Sequence, residues 1–320
     1  MDPKKEIFSI YKKKVFVAGH NGMVGRALVK RLKTEDCELI ITDRKKTDLR
    51  DQNAVSDWFS QHKPDVVFIA AAKVGGIQAN RTFPVDFILD NLQIQNAIIS
   101  AAFQNKVEKL IFLGSSCIYP RNAQQPLTES ALLSGELEST NEYYAIAKIA
   151  GIKLCQAYRK QYGVDFICAM PANLYGPGDN YHVENSHVVA ALIRRFYEAV
   201  NTGAKKLTLW GTGTPLREFL NVDDLADGLV FLTKHYSKME PINIGTGEEV
   251  TIIELAQLLR EIAQWQGQIV LDPKMPDGTK RKVMDITKIT ALGWKAKTDL
   301  RKGLVAAYDW YVQNYENVRA

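Results

Sequence analysis

Cysteine is scarce in this chain, four residues in 320, and none of the four lies in a CxxC pair. Cys37, Cys117, Cys155 and Cys168 are too widely spaced to read as a redox dithiol, which leaves the reduced thiols of a cytoplasmic protein. Histidine is almost as rare, at five residues, and no cysteine/histidine cluster has ligand spacing, so no metal is expected. No apolar run approaches the ~20 residues that cross a bilayer. Residues 1–13 hold Ile7-Phe8-Ser9-Ile10 but lack the longer apolar region of a secretory signal. A strong excess of one charge is missing too. Lys and Arg number 41 against 36 Asp and Glu, a net +5, and cations gather only at Lys12-Lys13-Lys14 and Arg44-Lys45-Lys46. A nucleic-acid track needs a basic face; this balance argues against one and suits a small anionic ligand. There is no internal repeat and no low-complexity segment.

What is present is an ordinary globular composition, 46% hydrophobic and 24% charged. The length allows two domains, or one large α/β unit with an appended part. From residue 14 to about 171, short apolar runs alternate with helical periodicity. The pattern predicts strands near 14–18, 38–42, 65–70, 107–113 and 164–170, and helices near 23–34, 51–60, 84–104 and 142–162. Such alternation implies a parallel, doubly wound sheet with right-handed crossovers. After Pro171 the rhythm loosens, and Gly176-Pro177-Gly178 and Gly211-Thr212-Gly213 mark loops.

Two stretches carry chemistry. The first strand ends in Gly19-His20-Asn21-Gly22-Met23-Val24-Gly25, and a helix with Val24, Leu28, Val29 and Leu32 on one face follows at once. Strand, glycines and helix in that order bring backbone amides to a dinucleotide pyrophosphate at the helix N-terminus. The apolar run Leu110-Ile111-Phe112-Leu113 ends in Gly114-Ser115-Ser116-Cys117-Ile118-Tyr119-Pro120, and strand carboxyl ends are where open α/β sheets bind ligands. In the next helix Tyr144 and Lys148 stand four residues apart and share a face. Tyr144 is the candidate proton donor to a ketone, with Lys148 as its electrostatic support and Ser115 holding the carbonyl oxygen. An ammonium beside the phenol, with the charge of an oxidised nicotinamide, is expected to bring its pKa from ~10 toward working pH. At the end of the second strand, Asp43 suits a ribose 2′-hydroxyl, whereas Arg44, Lys45 and Lys46 suit the 2′-phosphate of NADPH. A solvated charged loop is the plainer alternative. Cys117, two residues past Ser115, is a candidate catalyst or a small buried hydrophobe.

The segments GHNGMVG, AAAKVGGI, LGSSCIYP, NEYYAIAKIAGIKL, PANLYGPGDN, NSHVVAALIRRF, WGTGTPLREFLNVDDLA, NIGTG and PDGTKRK run in order from residue 14 to about 282. With them the chain resembles the extended short-chain dehydrogenase/reductases, and among these the epimerase/reductases of GDP-4-keto-6-deoxy-D-mannose. The resemblance implies an α/β fold with two parts. Residues 1–172, with 219–245 returning to the sheet, would form a Rossmann-type NADP-binding domain. Residues 173–320, mainly 173–218 and 246–320, would form a smaller α/β substrate domain.

The implied activity is epimerisation at C3 and C5 followed by reduction of C4, giving GDP-L-fucose, with NADPH as cofactor and NADH possibly tolerated. Members of this branch usually carry arginine where this chain has Asn21. The implied cofactor residues, beyond the glycine loop and Asp43 to Lys45, are Asp48 and Leu49 at the adenine and Ala71 and Ala72 in the loop that ends at Lys73. Leu113, Gly114, Ser115, Ser116, Tyr144, Lys148, Pro171, Ala172, Asn173, Leu174 and His187 complete the set. Ser116, Cys117, Asn173, Arg195, Trp210, Arg217 and Asp277 are the implied substrate contacts, with Trp210 equally readable as core and Asp277 as part of a turn. Cys117 and His187 are implied as the epimerising acid/base pair. The helices near 84–104 and 142–162 carry an extra apolar face, consistent with a homodimer or with a buried intramolecular core.

The rival readings are a 4,6-dehydratase or 4-epimerase of the same fold, and a cofactor-sensing protein without chemistry. A dehydratase is expected to show Thr with an acidic residue where this chain has Ser115-Ser116-Cys117, and a sensor has no need of Tyr144 and Lys148.

Overall fold

The computed structural model describes residues 5–275 and 277–318. Val66–Ile69 and Lys109–Leu113 are buried at every position. A run with no polar face of its own can be hidden only in a strand covered on both sides. These two belong to a series of strands, β1 (Lys14–Ala18), β2 (Glu38–Ile40), β3 (Val66–Ile69), β4 (Lys109–Leu113) and β5 (Asp165–Pro171), that alternate with helices, β2 being the least buried. The helices are α1 (Met23–Leu32), α2 (Gln52–His62), α3 (Ile77–Thr82), α4 (Pro84–Gln104) and α5 (Glu142–Tyr162). Then come β6 (Asn173–Tyr175), α6 (Val188–Thr202), β7 (Lys206–Trp210), β8 (Leu216–Arg217), β9 (Phe219–Asn221), α7 (Val222–His235) and β10 (Ile242–Ile244). The chain finishes with β11 (Val250–Thr251), α8 (Ile252–Ile262), β12 (Gln268–Asp272), β13 (Arg281–Lys282), α9 (Thr287–Ala291) and α10 (Leu300–Asn314).

One parallel sheet has the order β10-β5-β4-β3-β1-β2. Helix α1 packs on α7, while α2 packs on α4 and α4 along α5. From β1 the chain steps to β2 on one side and returns to β3 on the other. The carboxyl ends of β1 and β3 therefore frame the crevice where a doubly wound sheet binds its ligand. The strands and helices read from the sequence before residue 171 are all present. The short helix α3 is the addition, since six residues leave too little periodicity to read.

The smaller sheets, β11-β8-β13, β12-β7 and β6-β9, belong to the later part of the chain. A second apolar cluster forms there from Phe196, Leu207, Leu209, Leu255, Leu259, Trp265 and Leu304, among others. Leu220, Leu225 and Ile244 rejoin the main core under the parallel sheet, and so do Met284, Ile289 and Trp294.

Just before the chain crosses from Phe219 in one cluster to Leu220 in the other stands Glu218, with 0% exposure. Its carboxylate accepts from Thr246 N at 2.6 Å, Gly247 N at 2.9 Å and Met284 N at 2.7 Å. A buried carboxylate is tolerable only with such donors. The fit is close enough that a Cβ at Gly245 would fall 2.1 Å from Glu218 Oε1.

Candidate active site

Glycine shapes the crevice between β1 and β3. Gly19 has φ +89, and a Cβ there would come within 2.7 Å of the Ala71 backbone. A Cβ at Gly25 would lie 2.0 Å from Gly19 O, so the turn admits no side chain at either place. Gly22 caps α1 without a side-chain bond, the first turn (Met23, Val24) holds no acid, and a Cβ at Gly22 would meet only Gly19 O, at 3.5 Å. The first-turn amides are left for an anion. These residues fit the pyrophosphate of a nicotinamide dinucleotide.

At the ribose end, His20 Nε2 lies 3.9 Å and Asn21 Nδ2 3.4 Å from Asp43 Oδ1. Arg44, Lys45 and Lys46 stand exposed beside that carboxylate. Arg50, which the sequence reading passed over, grips Asp48 at 2.7 Å and through this hydrogen bond holds its carboxyl down to about 2. Leu49 packs against the main core. On the other rim, the buried Asn91 amide accepts from Lys73 N at 3.0 Å and pins the loop that carries Ala71 and Ala72. Gly76 N then bonds Asn185 O at 3.0 Å, joining this loop to the segment ahead of His187.

The end of β4 gathers the candidate catalysts. Ser115 Oγ accepts from Cys117 N at 3.3 Å, and its hydroxyl stands close enough to the Tyr144 phenol to favour the phenolate. Ser116 is buried beneath the turn, and a Cβ at Gly114 would strike Met170 Sδ at 2.4 Å. Lys148 is 3% exposed, and its ammonium donates to Leu113 O at 2.8 Å. No carboxylate lies within 4 Å of it among the described residues, and burial lowers its pKa to about 8.

The phenol departs from expectation. Burial pushes the Tyr144 pKa up, the Cys117 side chain adds to that, and the Ser115 hydroxyl only partly opposes it. The ammonium stands 5.9 Å from the ring centroid and spends its bond on the carbonyl, so it does not pull the phenol down. In the chain alone Tyr144 stays a proton donor.

Cys117 is half-buried, with Asn141 Nδ2 at 3.2 Å and Lys282 Nζ at 3.6 Å from its sulfur. His187 stands at the head of α6, exposed to solvent on one side yet surrounded by protein on the others. That partial desolvation, with the Lys282 cation, holds its pKa below the ordinary 6.5. Pro171 and Ala172 are buried at the end of β5, and Leu174 packs against the main core. The Asn173 amide donates to Glu218 O at 2.9 Å.

On the substrate side, Arg195 of α6 donates to Thr208 O, and Arg217 of β8 to Leu216 O at 2.9 Å. Neither takes a carboxylate within 4 Å among the described residues, and burial lowers the pKa of both. Two partly desolvated guanidiniums with no carboxylate in direct contact are ready partners for a diphosphate. Trp210 is 62% exposed, so its indole is a free face and not core. Asp277 accepts from Thr212 N at 2.6 Å and Thr212 Oγ1 at 2.9 Å, which makes it the clasp of the Gly211-Thr212-Gly213 turn. Asn141, Lys282 and Glu218 are the residues that sequence reasoning missed; Lys282 lies inside PDGTKRK without any signal of its partner. Among the described residues no group of three His, Cys, Asp or Glu could hold a metal ion.

Residues 15–245 match the model of the NAD dependent epimerase/dehydratase family. GDP-L-fucose synthase 1 of Arabidopsis thaliana is 57% identical over 95% of this chain and 94% of its own length. The GDP-L-fucose synthase of Escherichia coli K12 is 50% identical, over 96% and 99%. The solved GDP-L-fucose synthetase of Naegleria fowleri bound to NADP superposes with a TM-score of 0.91 at 29% identity, covering 99% of both chains.

A buried ammonium held by one carbonyl costs stability. Its folded pKa, about 8, lies below the ordinary 10.5. Between those values the folded chain binds fewer protons than the unfolded one, so stability rises with pH across that window. Lys148→Met is expected to resist urea better than the natural chain at pH 7, with the gap narrowing from about pH 8 upward. Urea titrations at several pH values decide it; a gap unchanged across the window would show that the ammonium carries no such penalty.

Proposed function

The chain belongs to the NAD dependent epimerase/dehydratase family, and on that footing we propose that it converts GDP-4-keto-6-deoxy-D-mannose into GDP-L-fucose. The steps are epimerisation at C3 and C5, then reduction of the C4 ketone. The observation that carries this reading is the Cys117 thiol near Ser115 and Tyr144, with the Lys282 ammonium on its sulfur also acting on His187. A simple ketone reductase has no use for that thiol. Relatives that share half or more of their residues with this chain are GDP-L-fucose synthases.

The lobe division into 1–172 with 219–245, and mainly 173–218 with 246–320, is part of the same reading and places the cleft between the lobes. A bound nicotinamide dinucleotide supplies hydride to C4. The α1 N-terminus holds its pyrophosphate, and Lys148 bonds its ribose. We favour NADPH, because Arg44, Lys45 and Lys46 offer positive charge to a 2′-phosphate; Asp43, together with Asn21 where this branch usually carries arginine, leaves room for NADH.

The sugar's O4 lies against Ser115 and Tyr144. Protons on C3 and C5 are acidic because their loss places charge on O4 as an enolate, and these two hydroxyls stabilise it. Cys117 and His187 remove and return those protons. In the reductive step O4 becomes an alkoxide at the same place and takes the Tyr144 proton. Arg195 and Arg217 hold the diphosphate, and Trp210 offers a flat face to the nucleoside or sugar.

Val85 and Leu89 on α4 and Ile146 on α5 are exposed apolar residues on two helices that pack together, which supports a homodimer through this face. No helix among the described residues is long and apolar enough to cross a membrane, and we place the protein in the cytoplasm.

The test is incubation with GDP-4-keto-6-deoxymannose and NADPH in deuterated water, with the product read by NMR. GDP-L-fucose labelled at C3 and C5 is expected; a reduced sugar of unchanged configuration would refute the epimerase half. Cys117→Ala should lose label at one or both carbons and yield a different reduced sugar. Full labelling at the natural rate would return Cys117 to its ordinary place as a small hydrophobe. Run with each cofactor, the assay should give the higher kcat/KM for NADPH, and equal or better use of NADH would contradict the cofactor preference.

A further inference from the structure

Lys282 lies 165 residues beyond Cys117 in the chain, and yet its ammonium reaches that sulfur at 3.6 Å. Among the described residues no carboxylate stands within 4 Å of Lys282 Nζ, so no acid neutralises it directly. The strand that delivers it is fixed on several sides. Lys282 pairs in register with Arg217, Glu218 N bonds Lys282 O at 3.3 Å, and Met284 N bonds the buried Glu218 carboxylate at 2.7 Å. Next to it, Arg281 is bound to Glu249. The ammonium is therefore aimed at the sulfur by backbone pairing and does not depend on side-chain flexibility alone.

We propose that Lys282 is a positioning residue whose ammonium, together with the Asn141 amide, holds Cys117 as the thiolate that takes a proton from the sugar carbons flanking the C4 ketone. The sulfur meets two donors, Asn141 Nδ2 at 3.2 Å and Lys282 Nζ at 3.6 Å. An ammonium can only donate, and the Asn141 amide presents its NH2 to the sulfur, so together they favour the form of sulfur that only accepts. The other groups facing this place are the Tyr144 phenol from α5, Ser115 below it, and His187 at the head of α6, on which Lys282 also acts. None of these is an anion at neutral pH that would compete for the ammonium. In the step itself the C–H bond breaks, its proton passes to sulfur, and its electron pair becomes the O4 enolate. A proton delivered to the opposite face from His187, which reloads from solvent, restores the ketone with inverted configuration.

The role in the sugar reaction rests on the proposed function, but the state of the thiol does not, and the two are separable. The full chain is treated with iodoacetamide at pH 7, and the labelling rate of each cysteine is followed by peptide mass spectrometry. Cys37, whose sulfur lies against Leu32 O and whose charged neighbours are Glu35, Asp36 and Lys234, serves as the internal reference. Lys282→Met should slow Cys117 labelling by about threefold or more, as loss of a paired cation does to a thiolate, while Cys37 is unaffected. Lys282→Arg should restore most of the rate. The ultraviolet thiolate absorbance of the natural chain at pH 7, taken as a difference from Cys117→Ala, should be present and should vanish in Lys282→Met.

Labelling of Cys117 in Lys282→Met at the natural rate would overturn the proposal. So would a common reduced rate in the Met and Arg variants, which marks a structural defect, and so would absence of the thiolate band in the natural chain. Should the natural chain fail to exchange protons of GDP-4-keto-6-deoxymannose, the assigned reaction falls, whereas the labelling result still decides the thiolate.

Discussion

Glu218 is buried where the chain passes from one apolar cluster to the other, and backbone amides of two segments converge on its carboxylate. Thr246 and Gly247 follow β10, the edge strand of the parallel sheet, while Met284 follows β13 of the smaller sheet. One side chain thus binds the later part of the chain to the sheet that carries the glycine loop. Its neighbour Arg217 and the Lys282 strand take their places from this joint. Burial drives the carboxyl's pKa up and the amides oppose it, so the arrangement holds together only while every donor is present.

Given that joint, the cleft brings together groups that water would keep apart in function. A phenol kept protonated by burial, a sulfur under two donors and a buried ammonium held by one carbonyl gather about the end of β4. Each is costly to bury alone, and the cost is the mark of a site arranged for reaction and not for stability. An enolate and an alkoxide both place negative charge on one oxygen. On the proposed reading a single pair of hydroxyls, Ser115 and Tyr144, would serve both stages of the chemistry.

The sequence made part of this legible and concealed the rest for physical reasons. Tyr144 and Lys148 were readable because helix geometry turns a spacing of four into proximity. Ser115 and Cys117 were readable because a strand of known direction ends at them. The direction of the Tyr144 shift was not, since burial is a property of the packed chain, and the sequence showed only the neighbouring ammonium. Lys282 was hidden because β13 and β8 are two residues long and carry no periodicity. Their pairing, and with it the approach to Cys117, exists only after the fold has closed. Asp277 could be seen as a turn or a ligand, and its bonds to Thr212, 65 residues away, form only in the folded chain.

The central claim is that one oxygen site serves both epimerisation and reduction. It is tested most directly by Tyr144→Phe in deuterated water, with deuterium entry at C3 and C5 measured beside the rate of hydride delivery to C4. Shared use of the phenol predicts that both rates fall, by ~10²–10⁴ for the proton-coupled reduction and by ~10²–10³ for exchange that has lost one donor to its enolate. Exchange at the natural rate alongside collapsed reduction would contradict the claim, and would place the enolate oxygen somewhere other than against Tyr144.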